Sequence, residues 1–227
     1  THMKPRSRTK VRQSKFKFLN RGGKRRGAGR KPKGKRAGVS HAPRPKLSKH
    51  EPALVTLRLV AGLPTLRMND THELIRHLCS EYHAADAPFR VVEYSVQSNH
   101  LHLIVEVNDQ RALAAGMNSF ASRFGKRLNK LWKRHGVVLA DRYHSEPLRS
   151  PRQVRNALVY VLQNARKHGC WDARVPDVYS SGPDFDGWLD TGAISDRRLA
   201  APRTWLLRLG WRRHGLIALH ERPARAA

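Results

Sequence analysis

Acidic residues are scarce in this chain, and the first 50 residues contain none. The 227 residues carry 45 Lys and Arg against 17 Asp and Glu, a formal net charge of +28. Nineteen of the basic residues fall within residues 1–50, and the rest of the chain holds 26 against all 17 acids. A strongly cationic arm precedes a moderately basic domain, so a polyanion is the natural partner, nucleic acid first among them. Cysteine is almost missing. Cys79 and Cys170 are too few for a disulfide framework and show no Cys-x-x-Cys pairing; they fit a reducing cytoplasm. No run reaches the roughly 20 apolar residues of a transmembrane helix. The charged N-terminus has no apolar stretch like that of a secretory signal, and the arm has no apolar face to lay on a membrane. A Gly-x-x-x-x-Gly-Lys-Ser/Thr loop, which would cradle nucleotide phosphates, is also missing.

Core-forming residues are nearly absent from residues 3–50, so this arm cannot fold alone. Its Arg21–Gly34 stretch places Arg21, Lys24, Arg25, Arg26, Arg30 and Lys31 among glycines. Glycine lets the backbone approach closely, and such arginines can follow phosphates or enter a narrow minor groove. These six are candidate DNA-binding residues.

The folded part is expected from Glu51. Val55, Leu57 and Leu59 alternate with Thr56, Arg58 and Val60 as a first strand. Asp70 or Thr71 is expected to cap a helix through Leu74, Ile75, Leu78 and Tyr82. Phe89–Gln97 and His100–Val107 read as a tight antiparallel hairpin. Leu113, Met117, Phe120, Phe124, Leu128 and Leu131 recur at helical spacing, with Arg123, Arg127, Lys130 and Arg134 as a basic stripe beside them. A short strand is expected around Val137–Ala140. Ser150-Pro151 opens a helix that runs to about Lys167 and ends at Gly169. The order β-α-β-β-α-(β)-α implies an α+β fold, an antiparallel sheet with helices on one face in the ferredoxin-like or RRM-like manner. Three regions follow: an arm at 1–50, a domain at 51–170 and a C-terminal extension at 171–227 without firm assignment. Within the extension, Trp205–Leu209 and Arg213–Leu219 are candidate short pieces.

Ser98–Val107 is the most informative segment. Side chains alternate along a strand, so His100 and His102 share a face with Ile104 and Glu106, while Leu101, Leu103, Val105 and Val107 point to the core. Two imidazoles side by side can chelate a divalent metal. On the helix from Pro151, Tyr160 and Asn164 are four residues apart beside the apolar stripe, and Gln163 lies further round, nearly opposite it. A phenol, a carboxamide and two imidazoles suffice for metal-assisted attack of a tyrosine oxygen on a phosphodiester. Tyr143 is the next candidate nucleophile.

These residues resemble a known family. His100-Leu101-His102 on a strand is similar to the His-hydrophobic-His motif of HUH endonucleases. Leu158–Gly169 resembles the Tyr-Ile-x-x-Asn-Pro-x-x-x-Gly segment of single-tyrosine transposases, the REP-associated tyrosine transposases of bacteria above all. Asp141–Leu148, which includes Arg142, resembles the segment that precedes the tyrosine helix there, and Arg21–Gly34 resembles the basic leader of some members. The likeness spans roughly residues 50–170. Ala165 stands where the family has proline. Related insertion-sequence enzymes place a glutamine four residues after their tyrosine; here that position is Asn164, with Gln163 a weaker alternative. The resemblance implies a metal-dependent nuclease and strand transferase with the His motif on a central strand. Tyr160 would be its nucleophile, forming a 5′-phosphotyrosine. His100, His102 and Asn164 would hold Mg2+ or Mn2+. The partner would be a single-stranded DNA hairpin with flanking guide sequence, bound by a monomer or homodimer associated with a bacterial nucleoid. Arg142 joins the DNA-binding candidates.

Two other readings compete. A non-catalytic nucleic-acid-binding protein of RRM-like fold would need stacking aromatics where His100 and His102 stand. A structural zinc protein would need a cysteine beside those histidines.

Overall fold

Alternating burial builds the sheet. The computed structural model describes residues 46–167, 175–190 and 197–223. β1 (Ala53–Arg58) buries Ala53, Val55 and Leu57, half-buries Leu54 and Thr56, and leaves Arg58 exposed. β2 (Phe89–Val96) and β3 (His100–Val107) form the expected hairpin, with Val96 opposite Leu101. β4 (His144–Pro147) completes a four-stranded antiparallel sheet in the order β2-β3-β1-β4. The His motif therefore lies on a central strand, as expected.

Val55, Leu57, Leu101, Leu103 and Val105 face one core, which α1 (Asn69–Ser80) and α2 (Gln110–Leu131) cover with Ile75, Leu78, Met117, Phe120 and Phe124. Asp109 caps α2 by accepting from the Ala112 N–H at 2.7 Å. Gly116 admits β2 to the α2 backbone: a Cβ there would lie 2.1 Å from the Phe89 ring. The opposite face carries Leu54 and Ile104. α3 (Pro151–Leu162) lies on it through Val154, Leu158 and Val161. Ser150 caps α3 as expected, accepting from the Gln153 N–H at 3.2 Å.

Several sequence expectations shift. Helices on one face describes α1 and α2 only, because α3 has an apolar stripe of its own to bury. α1 begins at Asn69 without a side-chain cap, and Thr71 is buried inside its first turn. The last strand is His144–Pro147; Leu139 makes only a single bridge to Leu59, and Val138 drops into the core. α3 stops at Leu162, followed by a separate turn α4 (Asn164–Lys167), so the chain breaks at Gln163 even without a proline. Gly169 lies outside the described residues. The fold also starts earlier than Glu51: Leu47 packs into the core of α1 and α2.

The C-terminal residues complete the second core. Phe185, Trp188, Trp211 and Ile217, with Leu207 from α5 (Trp205–Arg208), pack against α3 and the sheet. Arginine–carboxylate pairs hold them there. Arg67 grips Asp177 through two bonds of 2.8 and 2.9 Å, and Arg155 grips Glu221 at 2.5 and 2.8 Å. Arg197 reaches the buried Glu93 at 2.6 Å, whose carboxyl is pushed up by burial against the pull of Arg197. Arg90 pairs with Glu106, which also accepts the backbone N–H groups of Arg203 and Thr204. Part of the basic excess thus serves the fold rather than a polyanion.

Candidate active site

Antiparallel register sets the site. Thr56 stands opposite His102 on β1–β3 and opposite His144 on β1–β4, so the three share one face. His102 is 3 % exposed. Its Nδ1 lies 3.0 Å from Thr56 Oγ1 and its Nε2 lies 3.3 Å from the Tyr160 hydroxyl of α3. Ring centroids of His102 and Tyr160 are 4.9 Å apart in an edge-on arrangement, and those of His100 and His102 are 4.7 Å apart. His100 Nδ1 lies 2.8 Å from Asn99 Oδ1. Each Nδ1 thus has an oxygen within hydrogen-bond reach that can accept a hydrogen bond from it. A proton placed there leaves the lone pair of Nε2 on the open side of each ring.

Asn164 is 1 % exposed, and neither its Oδ1 nor its Nδ2 has a hydrogen-bond partner among the described residues. A buried carboxamide without partners costs free energy, commonly about 1–3 kcal/mol, so its oxygen is available to a water or an ion. Burial pushes the Tyr160 phenol above its ordinary value, and the nearby Asn164 carboxamide pulls the other way by favouring the phenolate; the two lie close without good hydrogen-bond geometry. Two imidazole nitrogens and one amide oxygen are a donor set that suits a divalent ion, and imidazole favours Mn2+ over the harder Mg2+. By this test the residues fit such an ion. No group of three His, Cys, Asp or Glu capable of holding a metal exists among the described residues; Cys79 is buried in the other core, away from the histidines, and Cys170 lies outside the described residues.

The remaining expectations separate. Gln163 is buried, not opposite the stripe as expected: the C-terminal segment covers that side of α3, and its Nε2 donates to the carbonyls of Ala218 and Leu219 at 3.1 and 2.9 Å. Of the two amides, Asn164 is the one placed beside Tyr160. Tyr143 packs in the core of α1 and α2, away from the histidine face, so it cannot replace Tyr160. Arg123 and Arg127 both bind Glu81 at 2.6 Å. Arg134 donates to Asn129 Oδ1 at 2.7 Å. With Lys130 it lines a groove of about 550 Å3 beside Lys126, Asn129, Lys133 and His135. All these sit on or just past α2, across the sheet from His102. Arg142 is exposed shortly before β4. Arg21, Lys24, Arg25, Arg26, Arg30 and Lys31 lie outside the described residues. Sequence reading missed Thr56. Its signal is the register, since the residue two before Arg58 on the first strand meets the second histidine.

Comparison of the sequence with protein-family models found no match, and comparison with curated proteins found none. No helix among the described residues is long and apolar enough to cross a membrane. Several solved structures share similarity with this chain, among them the following two. One is a REP-associated tyrosine transposase bound to a REP hairpin, at 17% identity and a TM-score of 0.49, covering 63% of this chain and 82% of that one. The other is a bacterial tRNA(His) guanylyltransferase-like protein in complex with GTP, at 14% identity and a TM-score of 0.41, covering 55% and 66%. Neither likeness bears on the residues of the site, which stand on their own geometry.

Proposed function

We propose that the chain is a single-tyrosine endonuclease and strand transferase acting on single-stranded DNA beside a hairpin. The observation that carries this reading is the meeting of Tyr160, His102 and the unpartnered Asn164 carboxamide, drawn from a strand, a helix and the turn after it. A divalent ion on His100, His102 and Asn164 would polarise the phosphodiester and offset charge on its oxygens. Tyr160 is the nucleophile. Its oxygen forms the bond to phosphorus, the bond to the 3′ oxygen breaks, the phenol loses a proton and the leaving oxygen gains one. The 5′-phosphotyrosine conserves the energy of the bond, so a 3′-hydroxyl can reverse the step and join strands. Thr56 and Asn99 orient the imidazoles, and α3 shields one side of the pocket from water. The basic arm of residues 1–45 adds sequence-independent affinity for DNA.

The test is incubation of the protein with Mn2+ and a labelled single-stranded hairpin carrying flanking sequence. A labelled species that survives denaturation at the mass of protein plus strand supports the proposal. Its absence across a library of hairpins and flanks counts against it.

A further inference from the structure

Arg58 stands directly opposite His100 in the β1–β3 register, as Thr56 stands opposite His102. The Thr56–His102 contact proves the orientation of this row, and side chains two apart on a strand share a face. Arg58 therefore projects on the same face as the two histidines. Directly opposite residues in an antiparallel pair have Cα atoms about 4.5–5.5 Å apart, well within the reach of an arginine. Burial along this face runs in a gradient: Ile104 and His102 are buried under α3, His100 is half-buried, and Arg58 is exposed. The pocket thus opens at its Arg58 end.

Several arginines near the sheet are engaged in ion pairs. Arg67, Arg90, Arg155 and Arg197 each hold a carboxylate. Arg58 has no hydrogen-bond or ion-pair partner for its guanidinium among the described residues, and only its backbone carbonyl is used, by the Ala140 N–H at 2.8 Å. A charged, planar fork on the rim of a pocket lined by Thr56, His102 and Tyr160 matches the chemistry of a phosphate with two non-bridging oxygens.

We infer that Arg58 grips the non-bridging oxygens of the phosphodiester that Tyr160 attacks. This rests on the function proposed above. Charge on those oxygens grows as the Tyr160 oxygen adds, so a fixed cation there favours the transition state over the bound strand. Arg58 also orients the strand, placing the 3′ oxygen away from Tyr160 for in-line displacement.

Two measurements on the full chain test the assignment. In single-turnover reactions at saturating strand and Mn2+, Arg58→Ala should slow formation of the protein–DNA adduct about a hundredfold, and Arg58→Lys should recover only part of that. In the Tyr160→Phe background, which cannot react, equilibrium binding compares a strand with a normal phosphate at the cleaved position against one with a neutral methylphosphonate there. The methylphosphonate should weaken binding about tenfold with Arg58 present and hardly at all in Arg58→Ala. Equal weakening in both proteins, or an adduct rate unchanged by Arg58→Ala, overturns the assignment. If the unaltered chain forms no adduct, the proposed function itself fails; if it does and the Arg58 variants behave like it, only the Arg58 assignment fails.

Discussion

The Tyr160 hydroxyl lies 3.3 Å from Nε2 of His102, across 58 residues of sequence. That nitrogen is the one a metal would use, because Thr56 occupies Nδ1. A divalent ion held on His102 Nε2 would take the lone pair that the phenol now faces, leaving the Tyr160 hydroxyl available to a phosphate. Tyr160→Phe should therefore bind Mn2+ at least as tightly as the unaltered chain, read by calorimetric titration. A large loss of affinity would mean that the phenol is itself a ligand.

Metal affinity should depend on the groups behind the histidines. His102→Ala removes one of two imidazoles and should abolish measurable Mn2+ binding. Thr56→Val keeps the shape of the side chain and deletes the oxygen at Nδ1, and it should weaken binding by about tenfold, within the range typical of such supporting contacts. Thr56→Ser should restore it. Asn164→Ala should cost less than either histidine change, since water can replace a neutral amide.

The Glu106 carboxylate is fully buried against Arg90 and accepts two further backbone N–H groups. Glu106→Ala leaves a buried guanidinium uncompensated and releases the C-terminal segment from β3. A loss of about 3–5 kcal/mol is expected, measured by urea denaturation. A loss below 1 kcal/mol would show that the segment is held by its apolar contacts alone.

Burial holds the His72 imidazole below its ordinary value, beside the Tyr94 hydroxyl at 3.0 Å. Below about pH 6.5 the unfolded chain takes up a proton that the folded chain resists, so stability falls as pH falls from that point toward the lower folded-state value. The urea midpoint should drop between pH 7.5 and pH 5.5, and His72→Asn should flatten the drop. An identical slope in the variant would assign the effect elsewhere.

Removal of residues 1–45 should leave the domain folded, whereas removal of residues 1–50 also takes Leu47 out of the core. The longer deletion should cost about 2 kcal/mol more, the scale of one buried leucine, read from thermal or urea unfolding. The shorter deletion should flatten the dependence of DNA affinity on salt, because 17 of the arm's Lys and Arg precede residue 46. An unchanged slope would show that the arm does not touch phosphates.

Local periodicity made much of this legible. The alternation of Leu101, Leu103 and Val105 with His100 and His102 announced both the strand and the face the two histidines share, and Ser150-Pro151 announced the helix that carries Tyr160. What stayed hidden depends on distant partners. His144–Pro147 is a polar edge strand whose identity comes only from pairing with β1. Gln163 is buried because residues 218 and 219 cover it, and no helical wheel contains that segment. The extension after residue 175 folds on ion pairs such as Arg67–Asp177, 110 residues apart, which no short-range pattern signals. Arg123 and Arg127 look like a free basic stripe until Glu81, which caps the end of α1, comes alongside.

The most direct test of the account is to map the covalent bond. The protein is reacted with Mn2+ and a single-stranded hairpin that yields an adduct, digested, and read by tandem mass spectrometry. The account predicts one modified peptide, with a 5′-phosphonucleotide on the Tyr160 oxygen, and none in Tyr160→Phe. A nucleotide on any other residue, or an adduct that persists in Tyr160→Phe, would contradict it.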